Sequence, residues 1–429
     1  MEKRSDISGF HGLSVEKRLD FVREFAGLSD EECDIVKKTG ALDIDTANRM
    51  IENVVGTSHL PLGIATNFRI NGRDYLIPMA IDEPSVVAAA SYAAKLARPK
   101  GGFTTSSDES VMIGQIQLLN IKDFDAAKRN ILEKKDEITA IANEKDPVLL
   151  KYGGGVKDIE IRIIDSERGK MLIVHLLVNV SDAMGANAVN TMAEEISPRL
   201  EELSGGDARL RIISNLATKR LARARAVWDK EELAKSVKGM EIKGEKVVDY
   251  ILDAYHFALV DQYRCATHNK GVMNGIDAVV IATGNDFRAV EAGAHSYAAR
   301  DGRYTSLTKY EKDSDGNLVG EIELPVAVGT VGGAININPV AKIALKILGV
   351  KTARELSEVI ASVGLAQNFA ALRALATEGI QSGHMKLHAK NIAAIAGAKG
   401  SLIDEVANRL VKEKNIKVDR AKEILKELG

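Results

Sequence analysis

Aromatic residues are scarce in this 429-residue chain, with one Trp, nine Tyr and nine Phe making up 4% of it. A core without large rings must close on aliphatic and small side chains, which predicts helices packed closely around a modest sheet. Cysteine is nearly absent. Cys33 and Cys265 form no CxxC pair and no disulfide framework, so a reducing cytosol is the simpler setting. Neither sign of charge dominates, with 58 Lys and Arg against 60 Asp and Glu. No global field therefore directs the chain to nucleic acid or an anionic membrane. No apolar run approaches the roughly 20 residues of a membrane span. Residues 1–20 are charged throughout and lack the apolar stretch of a signal peptide. Internal repeats and low-complexity segments are missing too. The length predicts two or three domains.

What is present is a readable order of elements. Residues 14–27 and 29–39 have helical periodicity, and Ser29 with Glu32 makes a capping box at the second start. Residues 65–79 read as a hairpin about Asn71-Gly72, the strongest short turn signal. Pro84 suits the first position of the small-residue helix that follows it. From 109 to 214 the rhythm changes: strand 111–119, helix 123–145, strands 158–165 and 170–180, helix 187–203, strand 208–214. This β-α-β-β-α-β order predicts a ferredoxin-like unit inserted into a larger domain. Helices are expected over 216–235 and 245–260, a hairpin over 304–325, and long helices over 338–378. Three short helices close the chain at 384–395, 401–413 and 418–428. The expectation is an α+β protein. Its large domain spans 1–108 and 220–376, its small domain 109–219, and a helical flap 377–429.

A dinucleotide fingerprint of the G-x-G-x-x-G type is absent, so a nucleotide must be held some other way. SDAMGANAVN (181–190) follows a strand and opens a helix. Its Gly185 permits close backbone approach, and a helix N-terminus offers free N–H groups to a pyrophosphate; a plain strand-to-helix turn is the alternative. Glu83, Lys270 and Asp286 each stand in apolar or glycine-rich surroundings. Singly each reads as a cap or a surface charge, and together they would form a carboxyl–ammonium–carboxylate cluster. His384 and His388 are four apart on one helix face but lack a third ligand, and Cys265-x-x-His268 is too little for a metal site, so no metal is expected.

Seven segments taken together carry a resemblance: ENVVGTSHLPLGIATNF (52–68), DEPSVVAAAS (82–91), DAMGANAVN (182–190), RCATHNKGVMNGIDA (264–278), IATGND (281–286), GTVGGA (329–334) and GLAQNFAALRALATEGIQSGHMKLHAKN (364–391). In this order and over nearly the whole chain, they resemble class II 3-hydroxy-3-methylglutaryl-CoA (HMG-CoA) reductase, the bacterial and archaeal form without a membrane anchor. The resemblance implies the architecture above, with a non-Rossmann cofactor domain. It implies catalytic roles for Glu83, Lys270, Asp286 and His384, with His388 outside the pattern. Ser85, Arg264, Asn274 and Asn368 match positions that hold the hydroxymethylglutaryl group. Asp182, Met184, Gly185, Ala186, Asn187 and Asn215 match the cofactor site. Asp146 resembles the NADH-preferring members, because it would accept from a ribose 2′-OH and repel a 2′-phosphate. Flanking Lys145 and Lys151 keep NADPH as the alternative. A cytoplasmic homodimer is implied, with Glu83 facing the partner's cofactor domain and ENVVG near an apolar interface. At the position of a phosphate-gripping arginine in some members, this chain has His11.

The expected reaction is reduction of HMG-CoA to mevalonate and free CoA in two hydride steps. The alternatives are the same enzyme running in the mevalonate-degrading direction, a reductase for another acyl-CoA, and a CoA- or nucleotide-binding protein without turnover. For Glu83 to donate a proton, burial and Asp286 must outweigh the adjacent helix N-terminus.

Overall fold

The structure is a computed structural model that describes residues 3–428 except 238–240, 378 and 380, and residues 381–387 without their side chains. It is α+β, with two sheets and two large apolar cores. The first hairpin is β1 (Leu62–Ile70) and β2 (Arg73–Ala80), turning at Asn71 and Gly72 with φ of 48° and 81°. Both central residues have positive φ, as a two-residue turn matching strand twist requires. β3 (Phe103–Ser107) follows the helix Val86–Ala97.

The chain then leaves for the small sheet. β4 (Val111–Leu119), β5 (Gly155–Ile164), β6 (Met171–Asn179) and β7 (Asp207–Ser214) form an antiparallel sheet in the order β5-β6-β4-β7. The helix expected over 123–145 is broken. It runs Phe124–Glu133 and Lys135–Asn143, with a third piece, Pro147–Lys151, capped by Asp146. The break falls at Lys134; the third piece starts separately at Pro147, which suits a first helical position, with the Asp146 carboxylate accepting from the Leu149 N–H at 2.8 Å.

On its return the chain forms β8 (Leu221–Trp228), and later β9 (Thr308–Lys312) and β10 (Leu318–Pro325). The large sheet has the order β2-β1-β3-β8-β10-β9. A helix was expected over 216–235, but LARARAVW is a central strand, and only Lys230–Ser236 is helical. Ala, Leu and Arg favour helix locally. Their spacing decides otherwise: Ala222, Ala224, Ala226 and Trp228 are buried at every second position, the period of a strand. Trp228 stacks on Phe369 with centroids 3.9 Å apart and donates to the Ala93 carbonyl at 3.1 Å. This one side chain pins the sheet to two helices.

The glycine-punctuated stretch around Lys270 is a single helix, Gln262–Ala282. It packs against Ala353–Ala376 through glycines on both sides. A Cβ on Gly275 would stand 2.8 Å from the Gln367 Cβ, and one on Gly364 would stand 2.8 Å from the Ile276 Cδ1. Ala353–Ala376 is long and apolar enough to cross a membrane, but 78% of its most apolar window is buried inside the protein, as a core helix. The capping box stands as read, with Ser29 and Glu32 exchanging bonds at 3.1 and 2.7 Å. The last three helices, Gln381–Ile395, Ser401–Lys412 and Val418–Leu428, share an apolar cluster of their own.

Helix propensity alone makes Gly275→Ala stabilising by about 0.5–1 kcal/mol. The helix contact reverses the sign: overpacking should cost about 1–3 kcal/mol. A lower urea midpoint for Gly275→Ala at unchanged slope is the expected result.

Candidate active site

The helix Val86–Ala97 begins two residues later than Pro84 suggested. Its N-cap is Ser85, at φ 74° and ψ −12°, and the hydroxyl makes no capping bond. A non-glycine residue in the left-handed region costs on the order of 1–3 kcal/mol, and such strain concentrates at functional sites. The turn aims Glu83 at the face of Gln262–Ala282. There the Lys270 ammonium meets the Glu83 carboxylate at 2.5 Å, and Asn274, one turn on, donates to the other oxygen at 3.3 Å. The pair is open to solvent, with side chains 57% and 39% exposed. Screened in this way, the ion pair is worth only about 0–1 kcal/mol to stability.

Arg264, in the first turn of the same helix, is half-buried and has no carboxylate partner among the described residues. Burial pushes its guanidinium below the usual range, so an incoming carboxylate would relieve a standing cost. Asn368 is differently placed. It is buried, accepts from the Thr308 and Tyr310 hydroxyls at 3.0 and 2.9 Å, and donates to the His268 carbonyl at 3.1 Å. In this arrangement its side chain braces the core. The residue before it, Gln367, was not singled out by sequence. Its Oε1 is buried with no hydrogen-bond partner.

Asp286 does not join Glu83 and Lys270. It caps the helix Phe287–Ala298, accepting from the Arg288 and Ala289 N–H groups at 3.0 and 3.2 Å and from the Arg288 guanidinium at 2.9 Å. Lys270 lies some three turns before the helix end at Ala282, about 18 Å along the axis at about 1.5 Å per residue. The expected three-membered cluster is therefore two-membered within one chain. His384 falls in the helix Gln381–Ile395, and its side chain lies outside the described residues. His11 is exposed near the N-terminus.

The residues expected to hold the nucleotide gather at one end of the small sheet. Register sets Asn179 and Ser214 on either side of the start of β4, and Gly155 beside Asn179. The loop Asp182–Gly185, Asn215 and the Asp146 helix therefore emerge together. Gly185 is the N-cap of Ala186–Ser204 at φ 99°, and a Cβ there would meet the Val180 Cγ1 at 2.4 Å. Only glycine fits, and the first N–H groups of a 19-residue helix have no side-chain cap. Asn187 and Asn215 are exposed beside it. This donor set suits a pyrophosphate. Asp182 looks inward instead, its carboxylate receiving the Ala353 N–H at 2.8 Å.

The sequence model of the family described as hydroxymethylglutaryl-coenzyme A reductase matches residues 14–389. The chain belongs to that family. A 3-hydroxy-3-methylglutaryl-coenzyme A reductase of Archaeoglobus fulgidus is 62% identical over 424 residues, spanning 99% of this chain and 95% of that protein. A probable reductase of Borreliella burgdorferi is 36% identical, over 96% of this chain and 89% of the relative. A solved reductase of Streptococcus pneumoniae superposes with a TM-score of 0.83 at 42% identity, covering 98% and 99% of the two chains. Another structure, with TM-score 0.82, 42% identity and coverage of 97% and 100%, is described as the class II enzyme from that organism bound to NADPH in open conformations. This chain is thus a class II HMG-CoA reductase, an oxidoreductase that uses a nicotinamide cofactor to make mevalonate.

Two outcomes follow from the reductase site. Ser85→Gly should be as stable as the parent or more stable by up to about 1 kcal/mol, because the strain disappears. It should at the same time raise the KM for HMG-CoA; melting and kinetics on one sample test both. The buried His268 ring, held by Thr308 and Ser306 at 2.8 Å, has its pKa pushed down by burial to about 3. A depressed folded value means that its stability contribution is intact above about pH 6.5 and is lost as pH falls toward 3. The parent should lose melting temperature across that window, and His268→Asn should flatten the slope.

Proposed function

We propose that the reductase works as a homodimer, with Glu83 and Lys270 of one protomer meeting Asp286 and the cofactor loop of the other. The observation that carries this reading is the axial separation of Lys270 from Asp286, which leaves the catalytic set incomplete in one chain. Apolar side chains exposed in the segment leading to β1 agree with a subunit interface: Ile51, Val55 and Leu60 stand 66%, 101% and 46% exposed. We read the small sheet and its helices as the ferredoxin-like cofactor domain of 109–219. It lies between the two parts of the large domain, with 377–429 as the flap.

The chemistry follows from these residues. A bound nicotinamide supplies the hydride. Negative charge then develops on the thioester oxygen, and Lys270 is the ammonium that meets it. Once the partner and the flap exclude water, an ammonium about 4 Å away is worth roughly 4 kcal/mol at an effective dielectric of about 20, or about three orders of magnitude in rate. The departing CoA thiolate needs a proton, since a thiol has a pKa of about 8.5. His384 is assigned that transfer, because an imidazole titrates near neutrality. Reduction of the aldehyde leaves an alkoxide, and Glu83 is assigned its proton. Arg264 receives the distal carboxylate, with Ser85 and Asn274 beside the acyl chain.

We assign NADH as the cofactor. One Asp146 oxygen is spent on its cap, and the other remains for a ribose hydroxyl. Lys145 is already paired with Glu195 at 3.0 Å. NADPH is the second reading, favoured by the relative described with it and by the exposed Lys151. The buried free thiols of Cys33 and Cys265 fit a cytoplasmic setting.

Mixed dimers test the assembly. Glu83→Gln and Asp286→Asn should each be nearly inactive alone. Unfolded together and refolded, they should recover up to about a quarter of parental activity, because half the dimers are mixed and each carries one intact site. Recovery should show as two cofactor molecules oxidised per HMG-CoA. No recovery in a sample proven to contain mixed dimers would put all the groups in one protomer and overturn the reading.

A further inference from the structure

The notable buried charge in this protein lies outside its catalytic set. Arg220 is 4% exposed, at the point where the chain returns from the small sheet to β8. Among the described residues no carboxylate hydrogen-bonds to its guanidinium. Its donors go to three backbone carbonyls instead: Ala183 and Met184 at 3.2 Å each, and Val328. A buried guanidinium without a hydrogen-bonded carboxylate is costly, and burial, partly offset by the charge of Asp182, holds this one well below its usual range, at about 10.

What it joins gives that cost a purpose. Ala183 and Met184 belong to the loop that ends at Gly185. Val328 precedes the GTVGGA turn. The Thr330 N–H donates to the Asp182 carbonyl at 2.8 Å, and Ala183 bridges Val331. On the far side of the turn, the Asn285 amide grips Gly329 at both ends, at 2.7 and 3.1 Å. Asn285 directly precedes Asp286. An unbroken series of bonds thus runs from the cofactor loop through Arg220 and the turn to the catalytic aspartate.

We propose that Arg220 is a positioning residue for the cofactor, tying the Asp182–Gly185 loop to the GTVGGA turn and so setting the helix N-terminus at Gly185 against Asp286. This rests on the reading of that loop as the cofactor site. The guanidinium touches no reacting atom. Its planar fork spans two segments at once, which a single ammonium cannot do.

The test compares Arg220→Gln and Arg220→Lys with the parent, using Arg225→Ala, a surface change, as the control. NADH and NADPH are titrated by cofactor fluorescence without HMG-CoA, and the KM of each substrate is then measured. Loosening the loop should weaken cofactor binding about tenfold in Arg220→Gln, equivalent to about 1.4 kcal/mol, and less in Arg220→Lys. The KM for HMG-CoA should stay within about twofold, since Arg264 and Ser85 stand on other elements. Gly329→Ala supplies a second route that leaves the arginine in place. Its Cβ would stand 2.7 Å from the Met184 N, so it should push the loop away and raise the cofactor KM in the same selective manner. If the Arg220 variants do not fold, Gly329→Ala decides the matter. Folded variants that bind cofactor like the parent, or that weaken both substrates equally, would overturn the proposal. A parent that binds neither nucleotide would instead overturn the reading of the loop.

Discussion

The rise of an α-helix governs this active site. Lys270 lies about 18 Å along the axis before the end of the helix Gln262–Ala282, at about 1.5 Å per residue, and Asp286 follows that end, so no side chain spans the gap. The helix cannot bend to bring them together, because Gly275 and Gly364 let it lie directly against Ala353–Ala376. The contact that makes the core rigid is thus the one that holds Lys270 and Asp286 apart within a single chain. In the proposed homodimer a second protomer closes that gap, and the exposed apolar segment around Val55 is the surface assigned to it.

Buried polar groups do the remaining positioning. Asn368 knots β9 to the helix Gln262–Ala282, and Asn285 and Arg220 fasten the GTVGGA turn to its neighbours on either side. Each links segments far apart in sequence. Such groups are stable only when fully bonded, so they hold one geometry where apolar packing would tolerate several. The strained Ser85 turn is the counterpart beside Glu83, whose carboxylate meets the helix Gln262–Ala282.

The elements that were legible share a local cause. Asn71-Gly72 names its own turn, and Ser29 with Glu32 bonds within one helical turn. The small domain alternates strands and helices whose periods differ. The elements that misled had local signals that tertiary contacts overrode. LARARAVW looks helical residue by residue, yet it becomes a strand because β3 and β10 pair with its backbone on both sides and its alanines face the apolar core. Pro84 suggested a helix start that the left-handed Ser85 displaced.

Sequence by itself named the residues proposed to carry chemistry and the order of strands and helices over 111–214, since both are written in contiguous motifs. Only the tertiary structure decided which of them meet. Glu83 and Lys270 are 187 residues apart and touch, whereas Lys270 and Asp286 are near neighbours in sequence and do not. Arg220 carried no signal at all, because its partner at Val328 is 108 residues away and offers only a backbone carbonyl, a group every residue has.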